Sequence, residues 1–130
     1  MSFPKRLRLL FALVLLTLGA CDSSTEPTDC LTEVDAEVVV TNDEAPLFRW
    51  SPGCRVQTLQ VSSADRDQIL WVVRSDEGIG SGVRYGTVPA GATQAFPPGA
   101  LVAGEDYYLT ITSVIGGDAV FTHDEVLFTR

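Results

Sequence analysis

Lysine is missing from the chain after residue 20. From there on six arginines face 17 acids, a balance of −11, against −8 for all 130 residues. A surface of that sign repels phosphate backbones, which argues against nucleic acid as a partner. Histidine occurs once, as His123, and cysteine three times. That supply is too thin for a metal triad or for most nucleophilic catalysis. No Gly-x-Ser-x-Gly elbow is present, and neither a metal nor a cofactor is implied. Beyond residue 21 no stretch keeps a 3.6-residue apolar period, so helices are not expected. Hydrophobic residues make up 45% of the chain, and its length suits a single packed core.

The lysine that the rest lacks sits at the start. Lys5, Arg6 and Arg8 precede Leu9 to Leu18, an apolar run broken only by Thr17. Ten helical residues rise about 15 Å, half of a hydrocarbon core of roughly 30 Å. This is the layout of a secretory signal peptide over residues 1–20. An amphipathic helix is the weaker alternative, because the run has no polar face. At its end Leu18-Gly19-Ala20-Cys21 resembles the bacterial lipobox. The resemblance implies cleavage before Cys21 and a diacylglyceryl group on its thiol. Each buried methylene of the acyl chains, palmitate among them, contributes about 0.8 kcal/mol to anchoring. The expectation is a lipoprotein of the cell envelope, tethered to a membrane without spanning it, its domain in the periplasm or outside the cell. Cleavage by ordinary signal peptidase, with release of a soluble protein, is the alternative. Asp22 resembles an inner-membrane retention signal, but lineages use that signal differently, so the choice of membrane stays open.

Three cysteines are an awkward number for an exported chain. Lipidation of Cys21 leaves Cys30 and Cys54, and an oxidising compartment lets them form a disulfide. A loop of about 25 residues closed in this way stabilises a fold by roughly 3 kcal/mol in the chain-entropy model. A redox or metal pair is the competing reading, though the spacing is far from Cys-x-x-Cys. Residues 22–29 hold no large apolar group, so residues 21–32 read as the lipidated N-terminus and a short tether.

From residue 33 to 130 the pattern is that of strands. Val34, Ala36 and Val38 alternate with acids. Phe48 and Trp50 are in phase, as are Leu59 with Val61 and Tyr107 with Leu109 and Ile111. Ile69 to Val73, Val83 to Tyr85, Thr93 to Phe96 and Ala119 to Thr129 are further strands. Gly116-Gly117-Asp118 is a hairpin turn. Ser75 to Gly82 reads as Gly-rich and irregular, and pairing between residues 75 and 96 is left open. Seven or so short strands predict an all-β, antiparallel β-sandwich.

Two segments sharpen this. Leu101 to Tyr107, followed by Leu109 and Ile111, resembles the loop and penultimate strand of fibronectin type III domains. Phe48-Arg49-Trp50-Ser51-Pro52 resembles the strand carrying that family's core Trp, and Val126 to Thr129 its closing strand. The resemblance implies a core built on Trp50, Leu101 and Tyr107, with the Tyr107 hydroxyl bonded back to the loop as a tyrosine corner. It departs at Gln57, which stands in phase with Leu59 and Val61 where an aromatic is usual. An immunoglobulin-like variant of the sandwich is therefore also open. In either sandwich the start of the first strand and the end of the second share one end, which brings Cys30 to Cys54. The tethered end then carries the loops 52–55 and 116–118. The loops 42–44, 65–67 and 97–105 face away.

Chemistry is sparse. His123 beside Asp124 reads as a solvated residue near a strand start, and Asp65-Arg66-Asp67 and Asp43-Glu44 as solvated turn acids. Gly78 to Gly82 lacks the Lys and helix of a phosphate loop. Trp71, Tyr85 and Tyr108 are the candidate ligand-facing aromatics, with Tyr108 pointing outward if Tyr107 points in. The expectation is a non-enzymatic binding or scaffold module for an envelope protein or a polysaccharide. The alternatives are a small hydrolase or metal-dependent enzyme using His123 and nearby acids, and a ligand-free spacer. Nothing in the sequence indicates the oligomeric state.

Overall fold

The structure is a computed structural model that describes residues 27–130. The signal segment, the lipobox and Cys21 lie outside the described residues. Eight strands form two antiparallel sheets: β1 (Asp35–Val39), β2 (Leu47–Ser51), β3 (Val56–Ser63), β4 (Ile69–Ile79), β5 (Val83–Arg84), β6 (Thr93–Phe96), β7 (Asp106–Ile115) and β8 (Ala119–Thr129). The smaller sheet has the order β1-β2-β5 and the larger β6-β4-β3-β7-β8. The two sheets face each other as a β-sandwich. Alternation places Phe48 and Trp50 of the small sheet against Leu59, Trp71, Leu109 and Phe128 of the large one, all buried. Burying a large apolar side chain stabilises by about 1.5–3 kcal/mol, so this layer dominates the folding energy.

Tyr107 forms the expected corner. Its hydroxyl accepts the Val102 amide at 2.8 Å, and its ring packs on Phe128 with centroids 5.8 Å apart. Leu101 is half-buried against the same core. Trp50 is buried and its indole N–H donates to the Cys54 carbonyl at 2.7 Å. Cys30 and Cys54 are disulfide-bonded with Cα atoms 5.0 Å apart. The bridge therefore lies at the end where the chain enters the sandwich.

The middle of the domain differs from the sequence reading. β4 continues through Ser75 to Ile79, which was expected to be irregular, and Ile79 pairs with Val56. Gly78 serves a close approach here: its φ is +96°, and a Cβ on it would lie 2.7 Å from Cβ of Arg55. β6 is an exposed edge paired to β4, while β5 crosses to pair with β2. Gln57 causes no hole in the core. A register shift between Val56 and Thr58 turns Val56 inward, and the Gln57 side chain accepts the Val114 amide at 2.8 Å.

The start of the described chain is fastened to the domain. The Arg55 amide donates to the Thr28 carbonyl and the Cys30 amide to the Arg55 carbonyl, both at 2.8 Å. Asp29 also pairs with Arg55 at 3.1 Å. Residues 28–32 thus belong to the domain.

Candidate functional site

Opposed residues of antiparallel strands share a face, so register decides what each side of the large sheet displays. Trp71 pairs with Val61, an inward residue, and is 0% exposed. Its indole N–H donates to Oε1 of Gln94 on β6 at 3.0 Å, and its ring meets Tyr85 at 5.2 Å between centroids. Tyr85 is only 9% exposed, and its hydroxyl donates to the Gly99 carbonyl at 2.6 Å. Burial pushes its pKa up to about 12, with a further push from Tyr107. Trp71 and Tyr85 are therefore core residues that tie β6 and the 97–100 loop to the sandwich. Neither ring is open to the surface.

Tyr108 does point outward, opposite Ser62 and Leu127. Its ring is half-buried because the Arg66 guanidinium lies over it, 4.4 Å from the centroid. Arg66 has a left-handed φ of 64° in the turn between β3 and β4. From there its two terminal nitrogens reach both carboxylate oxygens of Glu125 on β8. The turn is fastened by Asp65, whose carboxylate accepts from the Ser63 hydroxyl and from the Asp67 amide. Those two bonds, in that order, hold the Asp65 carboxyl below its ordinary value. Sequence reasoning missed Arg66, since 42 positions separate it from Tyr108 and nothing local links them.

Next to this clasp, the outer side of β3 and β7 carries Thr58, Gln60, Thr110 and Thr112, all half-buried. Gln60 stands opposite Thr110, and Thr58 opposite Thr112. Such a patch of hydroxyls and one amide is uncharged in a chain of net charge −8. It is lined by Arg74 on one side and by the Arg66–Glu125 pair on the other. The alternation Tyr108-x-Thr110-x-Thr112 was the signal for it.

His123 is not solvated. It is 1% exposed, because Ile111 pairs with Asp124 but Thr112 with Thr122, leaving His123 as an extra residue on β8. The shift turns His123 into the interior. The Thr32 carbonyl only accepts, so Nδ1 carries a hydrogen and donates to it at 2.7 Å. The Ser113 hydroxyl meets Nε2 at 2.8 Å and accepts the Gln57 amide at 3.1 Å. Asp124 holds the edge next to it: its Oδ2 accepts the Ala36 amide at 2.8 Å. Ser113 and His123 have the contact of a nucleophile and its base, but both are buried and their polar atoms are engaged: His123 holds Thr32 of the entry segment and Ser113 holds Gln57 of β3.

A groove of about 520 Å³ at the far end collects Asp65, Glu105 and Asp106 along its rim. Among the described residues no three His, Cys, Asp or Glu side chains converge as a metal site. The chain matches no protein-family model, no curated protein and no solved structure.

Proposed function

We propose that the chain is an envelope lipoprotein, anchored through acyl chains on Cys21, whose sandwich is a non-enzymatic binding module of the fibronectin type III kind. The observation that carries the reading is the Cys30–Cys54 disulfide at the end where the chain enters the domain. A structural disulfide fits an oxidising compartment, and the lipobox-like residues stand a few positions upstream. The tyrosine corner at Tyr107 and the small sheet β1-β2-β5 against the large sheet β6-β4-β3-β7-β8 support the family resemblance.

The surface that fits a partner best is the outer face of the large sheet, not the aromatics of the core. Thr58, Gln60, Thr110 and Thr112 offer donors and acceptors at fixed spacing, with Tyr108 and Arg66 at one end. An envelope protein or a polysaccharide meets such a face without the repulsion that the acidic surface imposes elsewhere. His123 and Ser113, buried and engaged, lend the hydrolase reading no support.

Two measurements test this. Intact mass of the membrane-extracted protein should give a chain starting at Cys21 with added acyl mass; a soluble, unacylated chain refutes the anchor. A photocrosslinker at Thr110 should capture an envelope protein or glycan that one at Asp118 does not. Equal capture at both positions refutes the assigned face.

A further inference from the structure

The end of the sandwich where the chain enters displays apolar side chains that the core does not use. Val114 and Val120 stand opposite each other on the β7–β8 hairpin and are 46% and 69% exposed. Leu31, next to Cys30, is 71% exposed. The two sites flank the start of β3: Val114 donates its amide to the Gln57 side chain, and Asp29 pairs with Arg55, just before the strand. Between Val114 and Val120 the turn is made by Gly116 and Gly117, both with positive φ, so the tip is narrow. A shallow depression of about 470 Å³ next to Leu31 is lined by the disulfide, Pro27 and Pro52.

Single exposed apolar residues are ordinary on a protein surface. Here the chain length decides what covers them. Thr28 is held by Arg55, just before β3, so only residues 22–27 join Cys21 to this end. Six residues span at most about 21 Å. A folded domain of 100 residues has a radius of gyration of about 13 Å, so a second domain does not fit in that gap. The charges nearby give no electrostatic attraction to lipid: Asp29 is paired with Arg55, and Asp118 at the tip is acidic. Contact there must be apolar, and Asp118 limits its depth to the headgroup region.

We infer that this end is a membrane-contact face. Leu31, Val114 and Val120 rest at the boundary of headgroups and acyl chains in the bilayer that holds the Cys21 lipid. The sandwich then stands upright, with the loops 42–44, 65–67 and 97–105 pointing away from the membrane. The inference rests on the anchoring proposed above.

The test uses the mature lipidated chain in vesicles of phosphatidylethanolamine and phosphatidylglycerol. An environment-sensitive fluorophore is placed on the thiol of Val120→Cys, or of Asp43→Cys at the opposite end. The expected result is a blue-shifted emission at position 120, quenched by brominated acyl chains, with neither change at position 43. A water-exposed probe at position 120 on protein of verified acyl mass overturns the contact face and leaves the anchor standing. A chain without acyl mass overturns the anchor, and the contact face with it. A blue shift that develops without vesicles and grows with protein concentration means that a second copy covers the face, and also overturns the inference.

Discussion

Replacing Ser113 by Ala removes one oxygen atom and leaves the His123 ring nitrogen and the Gln57 amide without that partner. The hydroxyl meets Nε2 of His123 at 2.8 Å and accepts the Gln57 amide at 3.1 Å, and Ser113 and His123 are both buried. An ordinary hydrogen bond contributes about 0.5–1.5 kcal/mol, but a buried group left unsatisfied costs about 1–3 kcal/mol. Two such groups give an expected loss of about 2–4 kcal/mol, or a fall in Tm on the order of 10 °C for a domain of this size. Urea unfolding followed by tryptophan fluorescence reads it directly, since Trp50 and Trp71 are both buried. The slope with urea should not change. His123→Leu should cost a similar amount alone, and less in the Ser113→Ala background. The coupling energy expected from this cycle is about 1 kcal/mol or more. A loss below about 0.5 kcal/mol for Ser113→Ala would put it in the range of ordinary surface substitutions and refute the account of a buried polar network.

Tyr107→Phe should cost about 1–2 kcal/mol in the same urea assay, because the Val102 amide loses its acceptor while the ring packing persists. Replacing Cys30 and Cys54 together by Ser opens a loop with a sequence separation of 24 and should cost roughly 3 kcal/mol, with faster hydrogen exchange at the Cys30 and Arg55 amides. Tyr85 should titrate near pH 12 by absorbance. Its folded pKa lies above the unfolded value of about 10. Its contribution is therefore complete below pH 10 and should fade as pH rises from there to about 12; Tyr85→Phe should flatten that part of the stability curve. Pulled from its N-terminus, the oxidised protein should release less contour length than the reduced one, the difference being the loop between Cys30 and Cys54.

Part of the strand pattern was legible: β6 and β8 have the expected bounds, and Phe48 and Trp50 of β2 point inward as their phase demands. The end of β4 was not, because Asp76, Glu77 and Gly78 carry no apolar alternation and the strand is held by pairing with β3. Trp71 lies in the unbroken run Leu70 to Val73, which has no phase, so its face is set by the register with Val61. His123 was placed in solvent because one extra residue on β8 inverts the side-chain parity, and a register shift leaves no mark in the sequence of a single strand. Tyr108 was placed outward correctly, yet its Arg66 cover comes from a turn far away in sequence. Local periodicity thus recovers which residues alternate. It does not recover which neighbour a strand meets, and the candidate site depends on the neighbours.

The entry segment shows why this domain places its polar and covalent contacts where it does. β1 is a five-residue edge strand, paired on one side only. A chain tied at its N-terminus would peel such a strand first. The disulfide prevents this by topology: β1 and β2 both lie inside the loop between Cys30 and Cys54, so a pull entering at Cys30 passes to Cys54 and on to β3, next in sequence. β3 is the central strand of the large sheet, hydrogen-bonded on both sides. Around the bridge, Thr32 is held by His123, Val34 by the His123 carbonyl and Ala36 by Asp124. All three holds depend on the extra residue in β8, which turns His123 inward and Asp124 toward β1. One extra residue and one disulfide therefore route a pull on the chain's entry past an edge strand to the central strand of the large sheet.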